Sequence, residues 1–78
     1  MLAASSGTII DIDNRRIARL AKLAGAPYAK SAGVFMHVKL GDKVTSNQPL
    51  LTIHAEAKGE LNYAWDFIAA ERDVIEIR

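Results

Sequence analysis

Residues 8–27 read TIIDIDNRRIARLAKLAGAP, and this stretch decides the fold. Its first five residues are mostly β-branched and roughly alternate in polarity, which predicts a β-strand. Asp13 or Asn14 can then cap a helix through a side-chain oxygen. The following apolar residues recur at helical spacing and define one buried stripe, made of Ile17, Leu20, Ala21 and Ala24. Gly25 supplies a left-handed position after this helix, and Pro27 prevents the helix from continuing.

The rest of the sequence predicts three more strands and a second helix. Strands are expected over residues 34–38, 50–55 and 74–77, which alternate or are rich in apolar residues. Residues 40–43, Leu-Gly-Asp-Lys, predict a tight turn, because glycine tolerates positive φ and aspartate can hydrogen-bond its own backbone. The second helix is expected to begin at residues 58–60. Its predicted core face consists of Leu61, Ala64, Trp65 and Ile68.

This order, β-α-β-β-α-β, predicts a single α+β domain over residues 1–78. Two amphipathic helices would cover one face of a small mixed sheet. The chain is 50% hydrophobic and 24% charged, which is an ordinary globular balance. A chain of this length buries only about 60% of its unfolded surface, so marginal stability is expected. The expected backbone-geometry positions are Gly25, Pro27, Gly33 and Gly41.

Composition argues against several classes of function. There is no cysteine, so neither disulfides nor thiolate metal sites are available. The net charge of +1 gives no general electrostatic case for nucleic acid or an anionic membrane. No apolar run approaches the roughly 20 residues that span a bilayer, and the first residues are too short and too polar for a signal peptide. We therefore expect a cytoplasmic protein without nucleic-acid or membrane partners.

Few polar residues suggest chemistry. The chain lacks the glycine-rich phosphate-binding loops and the Gly-x-Ser-x-Gly elbow. His37, His54 and Glu56 would share a face if their strands pair, but half-exposed strand residues are the commoner interpretation, since metal sites need more converging ligands. A basic patch has two interpretations, a phosphate contact or a solvated helix face, and the second is commoner; the interleaved aromatics of a nucleic-acid site are missing. This patch contains Arg15, Arg16, Arg19 and Lys22. No catalytic, metal or cofactor-binding residue is predicted.

Residues 38–53, VKLGDKVTSNQPLLTI, resemble the hammerhead of biotinyl and lipoyl carrier domains. In those carriers a lysine on a nearby hairpin tip accepts the cofactor, and Lys58 lies at the corresponding place. Two features count against this alternative. Ala57 stands where carriers usually have methionine, and residues 59–70 have a helical pattern. A self-sufficient binding module using Lys58 remains the alternative interpretation.

Six short motifs span most of the chain and carry a more specific resemblance. They are Ile12-Asp13-Asn14, Ile17-Ala18, Ala24-Gly25-Ala26-Pro27, Ala32-Gly33-Val34, Gly41-Asp42-Lys43-Val44 and Thr52-Ile53-His54-Ala55-Glu56. Their order is similar to that at the C-terminal end of thymidine and pyrimidine-nucleoside phosphorylases, in the branch that includes archaeal AMP phosphorylases. The sequence departs from this family at Ala29, Ser31 and Asn47-Gln48. The last two replace glycine, which removes backbone freedom and indicates altered loops.

The resemblance implies an α/β-hammerhead fold and a place in a homodimeric glycosyltransferase. Such enzymes use phosphate to cleave the N-glycosidic bond of a nucleoside or nucleoside monophosphate. Their phosphate-binding loop and catalytic residues belong to preceding domains, so none is assigned here and the isolated chain is expected to be inactive. The implied partners are the remaining domains of the same enzyme. Lys30, Tyr63 and Phe67 are the expected interdomain contacts.

Overall fold

The computed structural model describes residues 1–28 and 31–78. Its elements are β1 (Gly7–Ile12), α1 (Asn14–Leu23), β2 (Gly33–Met36), β3 (Lys43–Val44), β4 (Leu51–His54), α2 (Lys58–Ala70), a short 3-10 turn (Arg72–Val74) and β5 (Ile75–Ile77). The predicted α+β class is confirmed. Neither helix is long and apolar enough, within the described residues, to cross a membrane.

The strands form two antiparallel sheets, where the sequence suggested one mixed sheet. One sheet has the order β3-β1-β5 and the other pairs β2 with β4. In the first, Gly7 lies opposite Val44, and Ile12 lies opposite Ile75. The two-residue strand β3 was not predicted, because it is too short to show a period. Pairing partners depend on tertiary packing, which the local pattern does not contain.

Helix α1 forms as the sequence predicts. Asp13 is the N-cap, and its side chain accepts a 3.1 Å hydrogen bond from the backbone nitrogen of Arg16. On the apolar stripe, Leu20 and Ala24 are fully buried. The helix lies against α2 and β2, so its apolar stripe packs between the second helix and the sheet of β2 and β4.

Helix α2 also forms, but its buried face differs from the predicted one. Ala64 and Ile68 are buried, whereas 43% of Trp65 is exposed. Phe67 is instead partly buried and packs against the core. The prediction that Trp65 belongs to the core was wrong. Apolar residues surround much of this helix, so helical spacing alone did not identify the face that packs inward.

The core connects both sheets and both helices. Its buried residues are Ala3, Ile9, Leu20, Ala24, Val38, Val44, Leu50, Leu51, Ile53, Ala64, Ile68, Val74 and Ile75. Ile9 supplies the centre of β1, and Val74 and Ile75 close the core where the chain returns to β1. Among the described residues no polar or charged residue is buried. Polar chemistry is therefore confined to the surface.

Candidate functional site

A largely apolar groove of about 410 Å³ lies between the start of the chain and α2. Met1 to Ala4 line one part of the groove, and Trp65, Ile68 and Ala69 line another. Two large apolar side chains in it are uncovered, since Leu2 is 51% and Trp65 is 43% exposed. Exposed tryptophan and leucine side chains that line the same groove are typical of a surface that binds another protein segment.

Backbone pairing fixes the first wall of the groove. The backbone nitrogen of Ala3 donates to the carbonyl of Gln48 (2.8 Å), and Leu2 forms an antiparallel bridge with Pro49. Ala3 is 1% exposed and anchors the segment in the core. Asn47, at φ 71°, donates its backbone N–H to the Ala3 carbonyl (2.8 Å). The groove is therefore held by backbone hydrogen bonds as well as by side-chain packing.

The three expected interdomain contacts have different environments. Tyr63 lies on α2 and is 68% exposed, so its ring is available to a partner. Phe67 is half-buried against the core, so less of its surface is available. Lys30 lies outside the described residues. The sequence analysis did not identify Leu2 and Trp65 as surface residues of a groove. The available signal was that Trp65 is one of few aromatic residues in the chain.

Three of the expected turn positions, Gly25, Pro27 and Gly41, lie in connections between elements, and Gly33 is the first residue of a strand. Gly25 (φ 119°) follows α1, Gly33 (φ 157°) begins β2, and Pro27 lies in the turn after α1. Gly41 has φ 92° in the turn before β3, and its backbone N–H donates to the carbonyl of Ile9 (2.8 Å). The carboxylate of Asp42 accepts from the backbone nitrogen of Lys39 (2.9 Å) in the same turn.

The two histidines make separate contacts. His37 lies just after β2 and its Nε2 hydrogen-bonds the Thr52 hydroxyl. The ring of His54 meets the ring of Phe35 edge-on, with centroids 4.7 Å apart. The carboxylate of Glu56 accepts a 2.8 Å hydrogen bond from the backbone of Ser31. Within residues 1–28 and 31–78 no three metal-ligating side chains converge. These contacts support the interpretation of surface strand residues.

The predicted basic patch is smaller than expected, because Arg16 is engaged by three carboxylates. Its guanidinium donates to Asp13 (2.8 Å), Glu71 (2.8 Å) and Asp73 (2.7 Å). These hydrogen bonds lower the pKa of Asp13 and of Asp73 and raise the pKa of Arg16. Three carboxylates around one arginine disfavour an added phosphate. The exposed cations left on α1 are Arg15, Arg19 and Lys22.

Lys58 is the first residue of α2 and is exposed. A carrier lysine occupies the tip of a hairpin, whereas Lys58 is the first residue of a 13-residue helix. The ε-ammonium therefore projects from a helix start rather than from a hairpin. This placement argues against the carrier alternative.

Comparison with known proteins agrees with the motif order. The pattern of the family described as "Pyrimidine nucleoside phosphorylase C-terminal domain" matches residues 8–74. A protein of Sphingopyxis alaskensis is 54% identical over 77 residues, which are 99% of this chain and 15% of that protein. A protein of Chelativorans sp. (strain BNC1) is 51% identical over 77 residues, with the same two coverages. Both carry the name "Putative thymidine phosphorylase". The chain spans about 15% of the length of these relatives.

Proposed function

The chain belongs to the pyrimidine nucleoside phosphorylase C-terminal domain family, and we propose that it is the docking domain of a thymidine phosphorylase. The observation that carries this proposal is the match of 99% of the chain to 15% of each of two relatives. A domain of this kind would pack on the body of its own enzyme. It would hold the cleft of that enzyme in its working shape without contributing a catalytic group.

Surface chemistry supports a structural role over a catalytic one. Phosphorolysis needs donors that bind phosphate and groups that stabilise charge on the departing base. The guanidinium of Arg16 is surrounded by Asp13, Glu71 and Asp73. Its donors are directed at carboxylates. We therefore place the reaction in the remaining part of the enzyme, which is about 85% of the length of the relatives when the matched 15% is subtracted.

The groove between Leu2 and Trp65 is our proposed docking surface. Both side chains are uncovered in the isolated chain, and aromatic residues are enriched where protein surfaces meet. Tyr63 extends the exposed apolar surface of α2. The proposed partner is the preceding domain of the same polypeptide. Covering these side chains would add apolar burial that a small domain lacks on its own.

The properties of the whole enzyme follow the same proposal. It would be a cytoplasmic homodimer that transfers a pentosyl group from a pyrimidine nucleoside to phosphate, giving a free base and a sugar phosphate. Thymidine is the first substrate to test, because the Sphingopyxis and Chelativorans relatives bear the name of thymidine phosphorylases. AMP is the second, because the order of motifs is similar to the branch that includes AMP phosphorylases.

A chimera tests docking directly. This chain would replace the matched 77 residues of the Sphingopyxis relative, and thermal unfolding would be followed beside that of the intact relative and the isolated chain. We expect one cooperative transition above that of the isolated chain, because a docked domain is stabilised by its partner. Two independent transitions, with the chain unfolding at its isolated temperature, would contradict docking.

A further inference from the structure

Strand β4 is paired with β2 along one edge, and within residues 1–28 and 31–78 no backbone hydrogen bond reaches Ile53 along the other edge. On the paired side, Thr52 lies opposite Phe35, and the backbone nitrogen of His37 donates to the carbonyl of Leu50 (3.0 Å). In an antiparallel ladder the backbone groups of successive residues point alternately to the two edges. The N–H and C=O groups of Leu51 and Ile53 therefore point away from β2. We call these groups the outer edge of β4.

The start of the chain already occupies the first part of this outer edge. The backbone nitrogen of Leu50 donates to the carbonyl of Met1 (2.9 Å), and the Met1 nitrogen donates to the carbonyl of Leu51 (3.2 Å). Two residues of one strand thus face one residue of the other, which is the arrangement of a β-bulge. Beyond a bulge the ladder resumes with a new register. That register places Ile53 as the next residue of β4 with outward hydrogen-bonding groups.

We propose that the connecting segment of the full enzyme, the residues that precede Met1, continues as a strand along the outer edge of β4. This inference rests on the proposed function, since it takes the preceding domain as the source of the segment. The residue immediately before Met1 would lie opposite Thr52. The second residue before Met1 would exchange both backbone hydrogen bonds with Ile53. The sheet of β2 and β4 thereby gains a third strand, which fixes the orientation in which the domain meets its partner.

The register also defines the side chains of this segment. Opposite residues of an antiparallel pair place their side chains on the same face of the sheet. Ile53 is 8% exposed and faces the core, whereas Thr52 is on the outward face. An apolar residue is therefore expected at the second position before Met1, and a polar or β-branched residue fits immediately before Met1.

Amide hydrogen exchange of Ile53 tests the strand, by comparing the chimera with the isolated chain. A hydrogen bond from Ile53 to the added strand should slow its exchange roughly tenfold or more. The amide of Thr52, which points to β2 in both molecules, is the internal reference. Equal exchange of Ile53 in the two molecules would overturn the proposed strand. If the chimera still unfolds in one transition, docking stands without the strand.

Two proline variants of the chimera sharpen the test. Proline at the second position before Met1 removes the N–H that would donate to the Ile53 carbonyl, but it keeps the carbonyl that would accept from the Ile53 N–H. Losing one of the two paired hydrogen bonds weakens the strand pairing there, so exchange at Ile53 should become faster than in the unsubstituted chimera. Proline immediately before Met1 has no such partner in β4 and should leave the protection in place. The same effect of both prolines would contradict the proposed register. Slow exchange of Ile53 in a chimera with two transitions would support the strand and contradict docking.

Discussion

The guanidinium of Arg16 donates a 2.7 Å hydrogen bond to the carboxylate of Asp73, although 57 residues separate them in the sequence. The same guanidinium contacts Asp13, the N-cap of α1, and Glu71, the C-cap that follows α2. One side chain therefore connects the start of α1 to the segment between α2 and β5. Single exposed ion pairs contribute little, but three contacts to one guanidinium form a network with fixed geometry.

Replacing Arg16 should destabilise the chain more than replacing its neighbours on α1. Arg16→Gln removes the cation from three carboxylates and leaves their mutual repulsion. Arg19→Gln removes an exposed charge of the same type from the same helix. Thermal unfolding near pH 7 should show a lower midpoint for Arg16→Gln and almost no change for Arg19→Gln. Equal midpoints for the two variants would show that the network contributes nothing.

The network should also make stability sensitive to acid. Hydrogen bonds from Arg16 hold the pKa of Asp13 and of Asp73 below the usual value, which is about 4 for aspartate. Because these pKa values are lowered in the folded state, the stabilisation is present above about pH 4 and is lost as pH falls through the lowered values. The difference in midpoint between the parent chain and Arg16→Gln should therefore shrink from pH 6 towards about pH 2. A difference that stays constant would contradict this assignment.

The same substitution at two glycines should have opposite effects. Gly41 has φ 92° and a Cβ there would touch nothing within 4 Å, so Gly41→Ala should cost about 1–2 kcal/mol from backbone strain alone. Gly59 lies in α2 with equal space around it. Gly59→Ala should stabilise the chain by about 0.5 kcal/mol, because alanine favours helix. Urea unfolding of both variants measures the two free energies. A lower free energy of unfolding for Gly59→Ala would contradict the view that helix propensity determines the effect of substitution at this position.

Trp65 should matter more in the full enzyme than in the isolated chain. Trp65→Ala removes a ring that is 43% exposed in the groove, whereas Ile68→Ala removes a core side chain that is 3% exposed. Ile68→Ala should cost about 2–5 kcal/mol in the isolated chain, and Trp65→Ala should cost less. In the chimera, Trp65→Ala should lower the midpoint by more than it does in the isolated chain. Equal shifts in both molecules would exclude Trp65 from the docking surface.

Local sequence was sufficient where neighbouring residues determine the structure. The cap at Asp13 and the stripe through Leu20 predicted α1, and the structure confirms both. The turn at Gly41 followed from the conformational freedom of glycine beside Asp42, whose carboxylate does hydrogen-bond a nearby backbone nitrogen. The hydrogen bonds of Asp13 and of Asp42 each join residues three apart in the sequence, so the local pattern contains the information.

The sequence was insufficient where partners are distant. Arg16 looked like part of a basic patch, but Glu71 and Asp73 lie 55 and 57 residues away. Trp65 was assigned to the core because it shares helical spacing with Ile68, although α2 also carries Phe67 on a neighbouring face. The division into two sheets and the groove beside Leu2 depend on contacts between residues that are distant in the sequence. No local period encodes that packing.

Phosphorolysis of thymidine by the chimera tests the central claim most directly. The rate at which thymine is released from thymidine in phosphate buffer would be compared for three proteins. They are the intact Sphingopyxis relative, the relative without its matched 77 residues, and the chimera that carries this chain. We predict that deletion abolishes most of the activity and that this chain restores it, because the proposed role of the domain is to hold the cleft in shape. A folded chimera as inactive as the truncated relative would contradict the assignment of this chain as a docking domain of a thymidine phosphorylase.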